Sequence, residues 1–286
     1  MLKNGLFVGL ITLDFIYQVL RYPQPNQKTV ATDYLITSGG PATNAAVTFQ
    51  SLNPHVKTTL LGVLGNHPMT QLIRRDLDQQ GIHLIDLDPT YTEPPPVSSI
   101  IVTEATGDRA VVSINATRTQ MFPDVIPDNI LAGIDIVLID GHQMLVGTEI
   151  AKQAQQKRIP VVMDGGSWKG GTEKLLPFID YAICSANFYP PGCQTHEAVF
   201  DYLATFEIAH VAITQGEKPI LYRSSHHQGV LEVPLINAVD TLGAGDIFHG
   251  AFCSAILQQD WIDALKFSAE IASQSCQQFG TRLPIN

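Results

Sequence analysis

The chain has 286 residues, 45% hydrophobic and 15% charged, with a formal net charge of -10. That composition supports a sizeable core and excludes a disordered chain, and the acidity argues against nucleic acid as a partner. The four cysteines (Cys184, Cys193, Cys253 and Cys276) form no C-x-x-C pair, so they read as thiols of a reducing compartment rather than zinc ligands.

In chain order, "MLKNGLFVGLITLDF" holds one lysine and a short apolar run that Asp14 ends. It is no signal peptide, and no stretch reaches membrane-span length, so a cytoplasmic protein without a membrane partner is expected. "GLFVGLI" (5–11) reads as a buried strand. The stretch 12–40 alternates and contains a Pro-Asn turn but has no helical period. "PATNAAVTFQSL" (41–52) is helical, "TTLLGVLG" (58–65) a strand, and "MTQLIRRDLDQQG" (69–81) a helix stopped by Gly81. "PVSSIIVTEATGDRAVVSINATR" (96–118) reads as two strands about the turn Thr106-Gly107-Asp108. "IDIVLIDGH" (134–142), "IPVVMDGG" (159–166), "DYAICSANF" (180–188) and "HVAITQG" (210–216) are further strands. Helices at 147–158 and 195–206 lie among them. This alternation predicts a three-layer α/β fold with a central, mostly parallel sheet. The two irregular stretches predict a small antiparallel sheet inserted in two pieces, placed as a lid.

Four strands end in polar residues: Asp140, Asp164, Asn187 and Thr214. Each alone is an ordinary strand end, but four together favour a site, because open parallel sheets bind ligands beyond the carboxyl ends of their strands. "AVDTLGAGDIFHGAF" (238–252) then opens a helix whose apolar face is Ile247, Phe248, Ala251, Phe252, Ala255 and Ile256. Gly243, Ala244 and Gly245 let an anion approach the unpaired amides of that helix start. The plainer alternative is a glycine turn with Asp246 complementing the helix dipole. No G-x-x-x-x-G-K-[ST] is present, and Phe248 occupies the third Rossmann glycine position, which excludes a P-loop and disfavours a dinucleotide fold. A carboxylate beside an anion seat suits phosphoryl transfer to an alcohol, where Asp246 takes the hydroxyl proton and the amides stabilise the phosphoryl charge. The helix dipole is expected to keep Asp246 ionised.

"DTLGAGDIFHGAF" resembles the C-terminal signature of the ribokinase-like (PfkB-type) carbohydrate kinases. "SGGPATNAA" (38–46), "GLITLDFI" (9–16) and the ending "CQQFGTRLP" (276–284) resemble further parts of that family, so the likeness spans the chain. The resemblance implies one ribokinase-like domain over 1–286, with lid segments at 12–37 and 97–115. It implies an ATP-dependent kinase acting on a hydroxyl of a sugar or sugar-like acceptor, with Mg2+ and, in some members, a monovalent cation such as K+. Asp246 would be the base, and Gly243, Ala244 and Gly245 the anion hole. Asp14, Gly39, Gly40 and Asn44 would hold the acceptor, joined by Arg109 from the lid turn. Asn187, Thr214, Gly216, Asp240, Thr241, Gly243 and Gly245 would line the nucleotide. A homodimer through the lid is a family-level expectation. Taken singly, Asp14 also reads as a strand-end cap and Gly39-Gly40 as a flexible turn.

Three positions depart from the family pattern. Pro190 stands where Asn-x-x-Glu would place the Glu after Asn187, Pro219 replaces the last glycine of T-x-G-x-x-G, and Pro41 stands where ribokinases proper often carry Lys. The metal ligands are therefore left unassigned. Lys169 and Lys218 are further cationic candidates, His142 is a candidate for the acceptor side, and His249 reads as helix packing. His226-His227 carries no assignment. Two alternatives stay open. One is a nucleoside acceptor with a base pocket from Phe15, Tyr17 or Tyr34. The other is a degenerate kinase, motivated by Pro190, that binds ligands or regulates.

Overall fold

The computed structural model describes residues 3–114, 120–225 and 227–283. Residues 115–118 of the second lid stretch, His226 and Pro284 lie outside them. The chain runs through β1 (Gly5–Val8), β2 (Thr12–Val19), β3 (Asp33–Gly39), α1 (Pro41–Leu52), β4 (Thr58–Gly62), α2 (Thr70–Gln79) and β5 (Ile82–Asp86). It continues through β6 (Val97–Thr103), β7 (Arg109–Ser113), β8 (Ile136–Ile139), α3 (Met144–Gln156), β9 (Val161–Gly165), α4 (Thr172–Leu175) and β10 (Tyr181–Ser185). The last elements are α5 (His196–Ala204), β11 (His210–Gln215), β12 (Lys218–Ser224), β13 (Gln228–Leu231), α6 (Ala244–Ala255) and α7 (Trp261–Ser275).

Nine strands form one sheet in the order β13-β12-β11-β10-β9-β8-β1-β4-β5. Pairing is parallel from β11 to β5, and β12 and β13 add antiparallel strands at one edge. Strand alternation divides the core between the two faces. Phe7 and Leu138 pack with α1, α2, α6 and α7, whereas Leu6, Val8, Val137 and Ile139 pack with α3, α4 and α5. The result is helix, sheet, helix. Strand order reverses between β1 and β8, where an open parallel sheet leaves a crevice at its carboxyl edge. Strands β5 and β13 at the two edges, and β12 beside β13, were not read from sequence, because all three carry polar and half-exposed residues that blur the apolar run.

The second sheet has the order β3-β2-β6-β7. Its hairpins β2-β3 and β6-β7 are antiparallel, as expected, and the two hairpins join through a parallel pairing of β2 and β6. Two hairpins from distant stretches can join side by side in parallel because the intervening α1, β4, α2 and β5 supply the crossover. The sheet also runs past residue 37, since Ser38 and Gly39 pair with Leu13 and Thr12. Ile16, Ile100 and Val102 on its inner face pack against Leu242 and Phe279. The register places Asp14, Thr37, Ser98 and Arg109 on that inner face and Phe15, Tyr17, Tyr34 and Ile36 on the other.

Candidate functional site

Two helices begin at the carboxyl edge of the large sheet, and each is preceded by a glycine of positive φ. Gly243 (φ 70°) precedes α6, and a Cβ there would lie 2.9 Å from Thr281 Cγ2. The first intrahelical bond runs from Ile247 N–H to Gly243 O at 2.8 Å, so the amides of Gly245 and Asp246 precede the helical ladder. Space beyond Gly245 is open. The preceding loop is pinned. Buried Asp240 accepts from Leu242 N–H at 2.8 Å and Gly280 N–H at 2.9 Å. Thr241 Oγ1 donates to Gly107 O at 3.1 Å, and Arg109 Nη1 donates to Thr241 O at 3.1 Å and Oγ1 at 2.9 Å. Arg109 and Thr241 thus fasten the glycine loop to the turn of the small sheet, and Asp240 fastens it to Gly280.

Helix α1 follows Gly40 (φ 98°), where a Cβ would collide with the carbonyl of Leu10. Its start is held by buried Asp140, whose carboxylate accepts from Leu10 N–H at 2.9 Å, Ala42 N–H at 3.2 Å and His142 N–H at 2.8 Å. Burial opposes the Asp140 charge, but His142, with Nδ1 at 3.2 Å, and these amides overcome it and hold the carboxyl at about 2. His142 is therefore half-buried against Asp140. Asp14 is buried, accepts from Thr12 Oγ1 at 2.7 Å, and fills the space a Gly39 side chain would need. Burial raises its pKa against opposing contributions from Thr12, Ser98 and Arg282.

The two glycine segments meet at one contact, where Asn44 Nδ2 donates to Asp246 Oδ2 at 2.8 Å. Asp246 is hemmed in by protein yet keeps a partly exposed edge. Its pKa is raised to about 7, first by desolvation and then by the Asp164 charge, while the Asn44 bond and His249 pull the other way. This corrects the expectation that the helix start keeps it firmly ionised: the dipole is outweighed by burial beside a second carboxylate. His249 is more than helix filler. Its ring nitrogens face Gly245 O at 2.7 Å and Ile183 O at 3.1 Å, and Nδ1 lies 3.6 Å from Asp164 Oδ2. The ring ties the first turn of α6 to β10.

Thr214, next to last in β11, pairs with Ser185 of β10, Gly216 (φ 65°) turns into β12, and Asn187 is exposed just past β10. Lys218 is exposed at the start of β12, and Lys169 leans over Gly141 beside β8 and β9. Pro190 is buried and offers only its carbonyl, which accepts from Cys193 N–H at 3.0 Å. Among the described residues no group of three His, Cys, Asp or Glu could hold a metal ion. The oxygens of Asp140 are spent on amides, so these side chains do not fit a protein cage for Mg2+. Thr241 O and Oγ1 already face a guanidinium, and both Asp240 oxygens take amides, so neither residue fits a K+ site. Phe15, Tyr17 and Tyr34 lie on the outer face of the small sheet, away from Asp14, so they form no base pocket with it.

Sequence reading missed Arg282, which meets Thr37 and Ser38 of β3, Asp76 of α2 and Asn44 of α1. Its one signal was a lone cation within the 276–284 run of an acidic chain. A family model described as pfkB family carbohydrate kinase matches residues 3–286. Ribokinase of Lactococcus lactis is 22% identical, with 96% of this chain and 91% of that protein covered. Adenosine kinase of Schizosaccharomyces pombe is 22% identical, with 87% and 82% covered. The structure of Arabidopsis thaliana ribokinase complexed with ribose and ATP superposes with a TM-score of 0.77 at 22% identity, covering 98% of this chain and 94% of that one. Among the described residues no helix is long and apolar enough to cross a membrane.

Proposed function

This chain belongs to the pfkB family of carbohydrate kinases, and on that premise we propose that it transfers the γ-phosphoryl group of ATP to a hydroxyl of a sugar or sugar-like acceptor, with Asp246 as the base. The observation that carries the reading is the meeting of Asn44 and Asp246 at an uncapped helix start, with Asp246 poised at about 7. A general base works best with a pKa near the operating pH. In the proposed step the acceptor oxygen bonds to the γ-phosphorus as the bond from that phosphorus to the bridging oxygen breaks. The hydroxyl proton passes to the Asp246 carboxylate, and ADP leaves. The amides of Gly243, Ala244, Gly245 and Asp246, with the dipole of α6, stabilise the charge on the moving phosphoryl group.

Asp14 and the remaining hydrogen-bonding capacity of Asn44 are the proposed acceptor contacts, with Gly39 and Gly40 allowing close approach. Asn187, Thr214 and Gly216 are the proposed nucleotide contacts at the ends of β10 and β11. Mg2+ would arrive with the donor phosphates and supply charge neutralisation there. The Arg109 guanidinium supplies the positive charge beside Asp240, so equal turnover in potassium and choline salts is expected. A strict requirement for potassium would overturn that assignment. Apposition of the small sheet excludes water from the site. Its apolar outer face, with Tyr17, Tyr34, Ile36 and Val112 exposed, is the proposed contact between two copies, checked by sedimentation of the native chain against a Tyr34→Lys variant.

The decisive experiment is ADP release across a panel of sugars and nucleosides by the native chain and by Asp246→Asn. The reading expects turnover with a sugar and a loss of about 10²–10⁴-fold in the variant at unchanged nucleotide affinity. Full turnover by Asp246→Asn would remove the base.

A further inference from the structure

Arg282 sits close to the C-terminal end of the described chain, and no part of the proposed chemistry uses it. Its Nη1 lies 3.1 Å from Asn44 Oδ1 and 3.0 Å from Thr281 Oγ1. Its Nη2 lies 2.6 Å from Thr37 Oγ1, 2.7 Å from Ser38 O, 3.1 Å from Ser38 Oγ and 2.9 Å from Asp76 Oδ2. Asp76 completes the clamp. Its Oδ2 also accepts from Ser38 N–H at 2.8 Å and Ser38 Oγ at 2.6 Å. Burial disfavours the Asp76 charge, yet Arg282 and Ser38 more than offset this and hold its pKa below the usual carboxylate range. The guanidinium therefore sits in a built site that reaches one strand of the small sheet and two helices.

The chemical consequence lies at Asn44. A carboxamide is nearly symmetric in shape, and either end fits the same space. A guanidinium has donors only. Arg282 therefore demands the oxygen end of Asn44, and the nitrogen end must point the other way, at Asp246 Oδ2 2.8 Å off. An N–H on Oδ2 occupies that oxygen and leaves Oδ1 to receive a proton.

We propose that Arg282 is a positioning residue that locks the Asn44 amide with its N–H on Asp246 Oδ2, so that the acceptor proton is taken on Oδ1 and the setting of the base is tied to β3 of the small sheet. This rests on the reading of Asp246 as the base. The other titratable groups facing Asp246 are Asp164 from β9, Asp140 from the end of β8 and His249 one turn along α6. They are untouched by changes at Arg282. Without the guanidinium, the amide is free to turn its oxygen toward the Asp246 carboxylate, which disfavours the ionised form. The base then holds its proton to higher pH.

The test is the acid limb of the kcat/KM profile, which reports the ionisation of the free base. In Arg282→Ala the limb is expected to move up by about one pH unit, the scale of one lost charge-assisted bond. Added guanidinium ion is expected to bring it back. Arg282→Gln, whose amide can offer Asn44 an oxygen as readily as an N–H and so no longer dictates its orientation, carries the same readout if Arg282→Ala does not fold. Asn44→Ala should shift the limb too, and the double variant should shift it no further, because both act through one amide. A limb left at its native position in a folded Arg282 variant, or additive shifts in the double variant, overturns the proposal. Asp246→Asn measured in parallel separates the two readings. If it still turns over, the base assignment falls. If it is inactive while the Arg282 limb stays in place, only the role of Arg282 falls.

Discussion

Asp140 and Asp246 are two carboxylates at two neighbouring helix starts, and the fold treats them in opposite ways. Asp140 receives three backbone N–H groups and lies beside His142, and its pKa falls to about 2. Asp246 receives one amide N–H from Asn44, is desolvated, faces Asp164, and rises to about 7. The difference is the neighbouring charge, His142 beside one and Asp164 beside the other, and after it the supply of donors, not the residue type. One carboxylate stabilises the fold and the other is kept short of partners, which is the condition for taking a proton near neutrality.

The largest expected effect is at Asp246. A raised folded-state pKa penalises the native state above about 7, and the penalty fades as pH falls toward the unfolded value near 3.8. Asp246→Asn should therefore raise the melting temperature at pH 8 and leave it nearly unchanged at pH 4, while turnover collapses. Equal melting shifts at both pH values would remove the contrast. Asp140 has the opposite sign: its depressed pKa stabilises the fold above 3.8, and that contribution is lost as pH falls through about 2. Asp140→Asn should cost about 2 kcal/mol in urea melts at pH 7 and far less near pH 2.

Gly243→Ala sharpens the comparison from the backbone side. It places a Cβ in a left-handed conformation and against Thr281, a strain of about 1–2 kcal/mol. About a tenfold fall in kcat, with the melting temperature down by only a few degrees, is the expected reading. The smallest effect belongs to Arg109, which is exposed. Arg109→Gln should raise the nucleotide KM by about a few-fold at most, a fastening worth under about 1 kcal/mol. A loss as large as that of Asp246→Asn would move Arg109 into the chemistry itself.

The parallel sheet was legible because strands buried on both faces read as near-continuous apolar runs, as in "IVLI" of β8 and "VVM" of β9. The edge strands β5 and β13, and β12 next to β13, were not, since half-exposed strands dilute that signal. Gly243, Ala244, Gly245 and Asp246 were legible as a glycine turn opening a helix because turn and helix start are contiguous backbone. Arg282 was not, because its partners Thr37, Asp76 and Asn44 lie far away along the chain. The aromatic trio Phe15, Tyr17 and Tyr34 was drawn toward the site by composition and turned away from it by strand register.

By itself, the order of residues determined a doubly covered parallel sheet, a glycine loop opening a helix, and a carboxylate in its first turn. These are local matters of period, backbone freedom and spacing. The tertiary structure alone decided which carboxylate is satisfied and which is not, that Asn44 meets Asp246, and that Arg282 sets the Asn44 amide. The reason is physical: desolvation and donor supply are sums over neighbours from distant segments, and no stretch of sequence contains the neighbours of its own side chains.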